Sequence, residues 1–173
     1  FYECKVGKIE INQVPINKYS ASDLRNNIVY MPKKPFFLQG TIMDNLKLGQ
    51  NEISDLEVIE VCKKVGIHSD IQKLEKGYYE LIESGGENFS SGQKQKLGFV
   101  RVLLKKADIV LLDEVTSDLD GEAERQICNQ IEEIAKKAIV LNIAHKPESI
   151  RRSKKVFFIQ GGKIVAEGTH KAL

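Results

Sequence analysis

Residues 109–120 read Ile-Val-Leu-Leu-Asp-Glu-Val-Thr-Ser-Asp-Leu-Asp. The first four, Ile109 to Leu112, are aliphatic without a polar break. A short continuous apolar run suits a parallel strand buried on both faces. Asp113 and Glu114 end that run and put two carboxylates at the carboxyl end of a buried strand. Open α/β sheets hold their ligands there. One such carboxylate can hold a Mg²⁺ shell and a second can polarise water. A solvated strand end is the other reading of the same pair.

On the C-terminal side, Ile127, Ile131 and Ile134 recur at helical spacing, which predicts a helix over 121–137 with those three inward. Ala138 to Ile143 predicts a second buried strand, and His145 follows it at the level of Asp113. A histidine at a strand end can sense phosphate, although most single histidines carry no chemistry; His68 and His170 lack even that context. Pro147 opens a short helix, and Val156–Ile159 and Lys163–Ala166 flank Gly161-Gly162 as a hairpin.

On the N-terminal side, Ser90 with Gln93 has the spacing of a capping box. It opens a helix through Leu97, Val100, Leu103 and Leu104 to Lys105-Lys106. The small residues Ser90-Ser91-Gly92 let backbone N–H groups approach a phosphate, while a plain helix cap is the simpler reading of the same residues. Residues 41–84 read as mainly helical, with a second box at Ser54 and Glu57 and an apolar stripe of Val58, Val61, Cys62 and Val65 stopped by Gly66. Asn27–Met31 reads as a strand stopped by Pro32. Ser22 or Asp23 can cap a helical turn at Leu24, and Lys8–Asn12 alternates like a half-exposed strand. Strands alternating with helices imply a layered α/β domain.

Hydrophobic residues make up 42% and charged residues 29% of the chain, an ordinary globular composition. Lys plus Arg total 26 against 24 Asp plus Glu, so the net charge of +2 gives no reason to expect a nucleic-acid partner. Cys4, Cys62 and Cys128 are too scattered for a disulfide framework or a zinc site and suit reduced thiols in a cytosolic protein. No apolar run reaches the roughly 18 residues of a membrane span. Phe1 begins mid-pattern without an initiator Met, as a fragment would.

Taken in order, Ser90-Ser91-Gly92-Gln93, the 109–120 stretch and Ile143-Ala144-His145 resemble the signature, Walker B, D-loop and H-loop motifs of the nucleotide-binding domain of ABC transporters. Phe1-Tyr2-Glu3 with Gly7-Lys8-Ile9 resembles the segment after the Walker A helix, and Tyr30-Met31-Pro32 the approach to the Q-loop. Gly40 to Asn45 (GTIMDN) resembles the exporter-type entry into a helical subdomain, and Gly162–Val165 with Glu167–His170 the closing hairpin. The resemblance covers essentially the whole chain. It implies a P-loop NTPase-like α/β fold with a mainly parallel sheet and an inserted helical subdomain. The implied division is a partial core over 1–39, the helical subdomain over 40–88, and signature helix plus core over 89–173.

By the same resemblance, Asp113 would hold Mg²⁺ through water, Glu114 would be the general base and His145 would contact the γ-phosphate of ATP. Ser90, Ser91, Gly92 and Gln93 would meet the ATP held by a second nucleotide-binding domain in a head-to-tail dimer, with Asp120 in the D-loop at that interface. Transmembrane domains would be the other partners, at the cytoplasmic face of the cell membrane. The sequence departs from the family pattern in three main places and one smaller one. No GxxxxGK[ST] phosphate loop occurs, so the chain is expected to begin just downstream of it. Lys33 stands at the Q-loop glutamine, and a lysine donates but cannot ligate Mg²⁺ while protonated; it could instead reach a phosphate oxygen of ATP as a point charge, or swing into solvent on its flexible stem. Ser91 stands at the first signature glycine, and near the domain-coupling surface Ser84 replaces an acidic residue. ATP hydrolysis driving export is one expectation; a degenerate domain that binds ATP and hydrolyses it poorly is the alternative.

Overall fold

The structure is a computed structural model that describes residues 4, 6–50 and 52–172. The Phe1-Tyr2-Glu3 part of the resemblance lies outside the described residues. Asn12 and Gln13 both have positive φ, 52° and 65°. That is the two-residue geometry whose twist matches a hairpin. It joins β1 (Glu10–Ile11) to an antiparallel β2 (Val14–Pro15). The strand expected over 8–12 is therefore cut short, because its last residue is already in the turn. α1 (Ala21–Asn27) starts from Ser20, whose hydroxyl accepts the Asp23 N–H at 3.0 Å. The expected caps Ser22 and Asp23 lie inside the helix; Ser20 takes the role because its backbone is extended and its oxygen reaches the third helical N–H. β3 (Ile28–Met31) follows directly.

The next section is helical, as expected, and is bracketed by two short strands that the sequence reading missed. β4 (Gly40–Thr41) leads into α2 (Ile42–Lys47), α3 (Asp55–Val65) and α4 (His68–Gln72), and β5 (Leu81–Ile82) returns antiparallel to β4. Thr41 and Asp44 form a complete capping box on α2. At α3 only half of the expected box forms. Ser54 accepts the Glu57 N–H, but the Glu57 carboxylate turns to Lys106 at 2.6 Å. Gly66 ends α3 at φ 73°, a conformation glycine takes without strain.

α5 (Ser91–Lys105) buries Leu97, Phe99, Val100, Val102 and Leu104, and β6 (Ile109–Asp113) follows. α6 (Gly121–Ile134), β7 (Ile139–Ile143), α7 (Pro147–Arg151) and the hairpin β8 (Val156–Gln160) and β9 (Lys163–Gly168) complete the chain. The main sheet is fully parallel in the order β3-β6-β7, with Tyr30 beside Leu111 and Leu111 beside Leu141. Helices cover one face. Val110 and Leu112 point into the core with Leu97, Ile127, Val58 and Ile42. Each such fully buried large side chain contributes roughly 1.5–3 kcal/mol.

The expectation of a buried strand at 138–143 is corrected here. Ile139, Leu141 and Ile143 are 60%, 57% and 59% exposed. They alternate onto the sheet face that no element among the described residues covers, where Tyr30 and the half-buried Leu111 also lie. An apolar run cannot distinguish a strand covered on two faces from one covered on one.

Candidate functional site

Asp113 is the last residue of β6, paired with Ile143 of β7. Glu114 leaves the strand with φ 49°, in the left-handed region, while its N–H still donates to the Ile143 carbonyl at 2.9 Å. That conformation costs a non-glycine residue roughly 1–2 kcal/mol. Strain of this kind gathers where a side chain has to be aimed. The Glu114 carboxylate meets side chains from both neighbouring strand ends. Its Oε2 accepts a hydrogen bond from Lys33 Nζ at 2.5 Å, and its Oε1 lies 3.2 Å from His145 Nε2. Lys33 stands two residues past β3 and His145 two past β7. The parallel order β3-β6-β7 therefore brings three sequence-distant residues onto one carboxylate. The hydrogen bond from Lys33, ahead of every other influence, holds the Glu114 carboxyl below the usual range, and the same bond raises the Lys33 ammonium. Asp113 is reached by the Tyr30 hydroxyl at 3.3 Å.

The loop between β6 and α6 is held from below by a residue the sequence reading missed. Gln95 of α5 is 1% exposed. Its Nε2 donates to Ser117 Oγ at 2.8 Å and more weakly to the Glu114 carbonyl at 3.4 Å, and its Oε1 accepts the Asp118 N–H at 3.0 Å. The signal was present: Gln95, Phe99 and Val102 share the inward stripe of α5, and a polar residue there needs buried partners. Lys146 adds a second tie, donating to the Leu119 carbonyl at 2.8 Å.

Ser90 caps α5 with the expected complete box. Its hydroxyl accepts the Gln93 N–H at 3.2 Å, and Gln93 Oε1 accepts the Ser90 N–H at 3.0 Å. Ser91 opens the helix, and a Cβ at Gly92 would stand 3.1 Å from the Asp118 carbonyl, so glycine permits that close approach. Asp120 caps α6, accepting from Ala123 at 2.8 Å and Glu122 at 3.1 Å; the Ala123 bond above all pushes its carboxyl down. The structure thus brings Lys33, Asp113, Glu114 and His145 to one end of the sheet. Among the described residues, Ser90, Ser91, Gly92, Gln93 and Asp120 make no hydrogen bond or ion pair with that group.

The donor set fits a Mg²⁺ brought in with phosphate rather than one caged by protein. Among the described residues no three His, Cys, Asp or Glu side chains gather to hold a metal. Asp113 offers one carboxylate, and Mg²⁺ commonly takes its other ligands from water and phosphate oxygens. Among the described residues, no helix is long and apolar enough to cross a membrane.

Residues 1–117 match the family described as ABC transporter. The chain is 36% identical over 176 residues to the ABC multidrug transporter MDR2 of Trichophyton rubrum, covering 100% of this chain and 13% of that protein. It is 37% identical over 170 residues to a Rickettsia typhi protein named for export ATP-binding and permease roles, covering 98% of this chain and 30% of the relative. It therefore spans well under two thirds of these relatives. A solved bacterial Atm1-family ABC exporter with ATP bound superposes with a TM-score of 0.94 at 27% identity, over 99% of this chain and 30% of that one. With a parallel sheet that ends in paired carboxylates, and sequence and fold both similar to exporters, the chain belongs to the ABC transporter family.

Proposed function

We propose that, within the full-length protein, this chain is part of a domain that binds and hydrolyses Mg-ATP to drive export by an ABC-type transporter, and that the 173 residues alone, which contain no GxxxxGK[ST] phosphate loop, hydrolyse negligibly. The observation that supports this reading best is His145 Nε2 standing 3.2 Å from Glu114 Oε1 at the ends of adjacent parallel strands, beside Asp113. In this reading Glu114 is the general base for the attacking water, and His145 orients Glu114 and faces the terminal phosphate. Asp113 holds the Mg²⁺ that neutralises phosphate charge. Ser90, Ser91, Gly92 and Gln93 meet the nucleotide of a second nucleotide-binding domain packed head to tail, with Asp120 beside that interface. Residues 1–39 and 89–173 act as core and 40–88 as the helical subdomain, which faces transmembrane domains at the cytoplasmic side of the cell membrane.

In the full-length protein, Glu114→Gln keeps the size of the side chain and removes the base. Hydrolysis is expected to fall ~10²–10⁴-fold while ATP binding survives. Hydrolysis at the parent rate would assign the base to another group. A second reading, a domain that binds ATP and turns it over slowly, is favoured by one observation: the proposed base is already paired with Lys33. Slow turnover by the parent protein with intact ATP binding would select it.

A further inference from the structure

We propose that Lys33 is a nucleotide-sensing positioning residue that ties up Glu114 in the resting domain and releases it by exchanging the carboxylate for the terminal phosphate of a bound triphosphate. The inference rests on Glu114 being the base. Both Glu114 oxygens are engaged, Oε2 by Lys33 and Oε1 by His145. A carboxylate held by an ammonium is a weaker acceptor for a proton from water, so the paired form is a poor base. The Lys33 ammonium has donors only, so its partners must be acceptors or anions. The Lys33 side chain is 48% exposed and Glu114 21%. An ion pair that open is weak enough to exchange. A flexible four-carbon stem lets the amine swing while the backbone stays in place after Pro32. A terminal phosphate offers more negative charge and more acceptor oxygens than one carboxylate and forms strong charge-assisted bonds. The exchange moves one cation and makes or breaks no covalent bond. A glutamine at this position is neutral and could not form this ion pair.

Four forms of the full-length protein test this: parent, K33Q, E114Q and the double variant. Each is titrated with a non-hydrolysable ATP analogue and with ADP. E114Q frees Lys33 for the nucleotide, so it is expected to tighten analogue binding by about 2–5-fold more in the parent background than in the K33Q background. ADP, which lacks the terminal phosphate, is expected to show no such difference. An equal gain in both backgrounds, or the same excess with ADP, overturns the exchange. Parent-rate hydrolysis by E114Q would instead remove Glu114 as base, and absence of nucleotide binding by the parent would sink the functional reading and this inference together.

Discussion

Gln95 makes its three hydrogen bonds from a nearly inaccessible position on α5, and they fix the loop that aims Glu114. A buried amide of this kind is worth more than its individual bonds, because removing it leaves other groups unpaired. In Gln95→Ala the Asp118 N–H and the Ser117 hydroxyl lose their partner. The expected loss is ~1–3 kcal/mol from the unsatisfied groups, seen as a lower urea midpoint at constant slope. Amide exchange at Asp118 should quicken while that of α3 does not. An unchanged midpoint with unchanged Asp118 exchange would show that the loop holds itself. Glu114 is the other residue whose backbone matters: its left-handed φ turns the carboxylate out of the ladder toward Lys33 and His145.

α5 carries the Ser90 cap at one end and Gln95 one turn in, so its seating decides where both sit. Gly98 sets that seating. A Cβ there would stand 2.6 Å from Pro35 Cγ and 3.1 Å from Met31 Cε. The proline ring cannot swing away as a long side chain can, and it lies just past Lys33. Gly98→Val is expected to destabilise the domain by about 1–3 kcal/mol through overpacking. Gly121, where a Cβ would meet nothing within 4 Å, is the control: Gly121→Ala should melt at or slightly above the parent temperature. Equal melting of all three proteins would mean that the Pro35 loop moves freely off α5.

The whole molecule is asymmetric about its parallel sheet. Helices cover one face, while Ile139, Leu141 and Ile143 stand open on the other and β7 is an unpaired edge among the described residues. The β8–β9 hairpin adds Phe158 at 59% and Ile159 at 66% exposure. Open strand edges template pairing with other chains, and contiguous apolar surface favours association. The 173-residue chain alone is therefore expected to self-associate as its concentration rises, and Ile139→Lys with Leu141→Lys to reduce that association. Sedimentation velocity reads both. A strict monomer at every concentration would mean that the exposed face is tolerated in water.

Much of this was legible in the residues themselves. Apolar runs and helical stripes marked β3, β6, β7, α3, α5 and α6, since backbone period and local capping are properties of a few adjacent residues. The carboxylates of 113–114 were legible as a candidate site by chemical type and place at a strand end, beside the equally open reading of a solvated strand end, and the order of the motifs carried the resemblance that chose between them. Tertiary structure alone decided what touches what. The parallel register carried Lys33, 81 positions away in sequence, to 2.5 Å from Glu114. It buried Gln95 under the loop after β6, and it left one face of β7 open. Periodicity is local, whereas an ion pair, a buried amide and the covering of a face depend on strand order, which brings together segments that share no sequence neighbourhood.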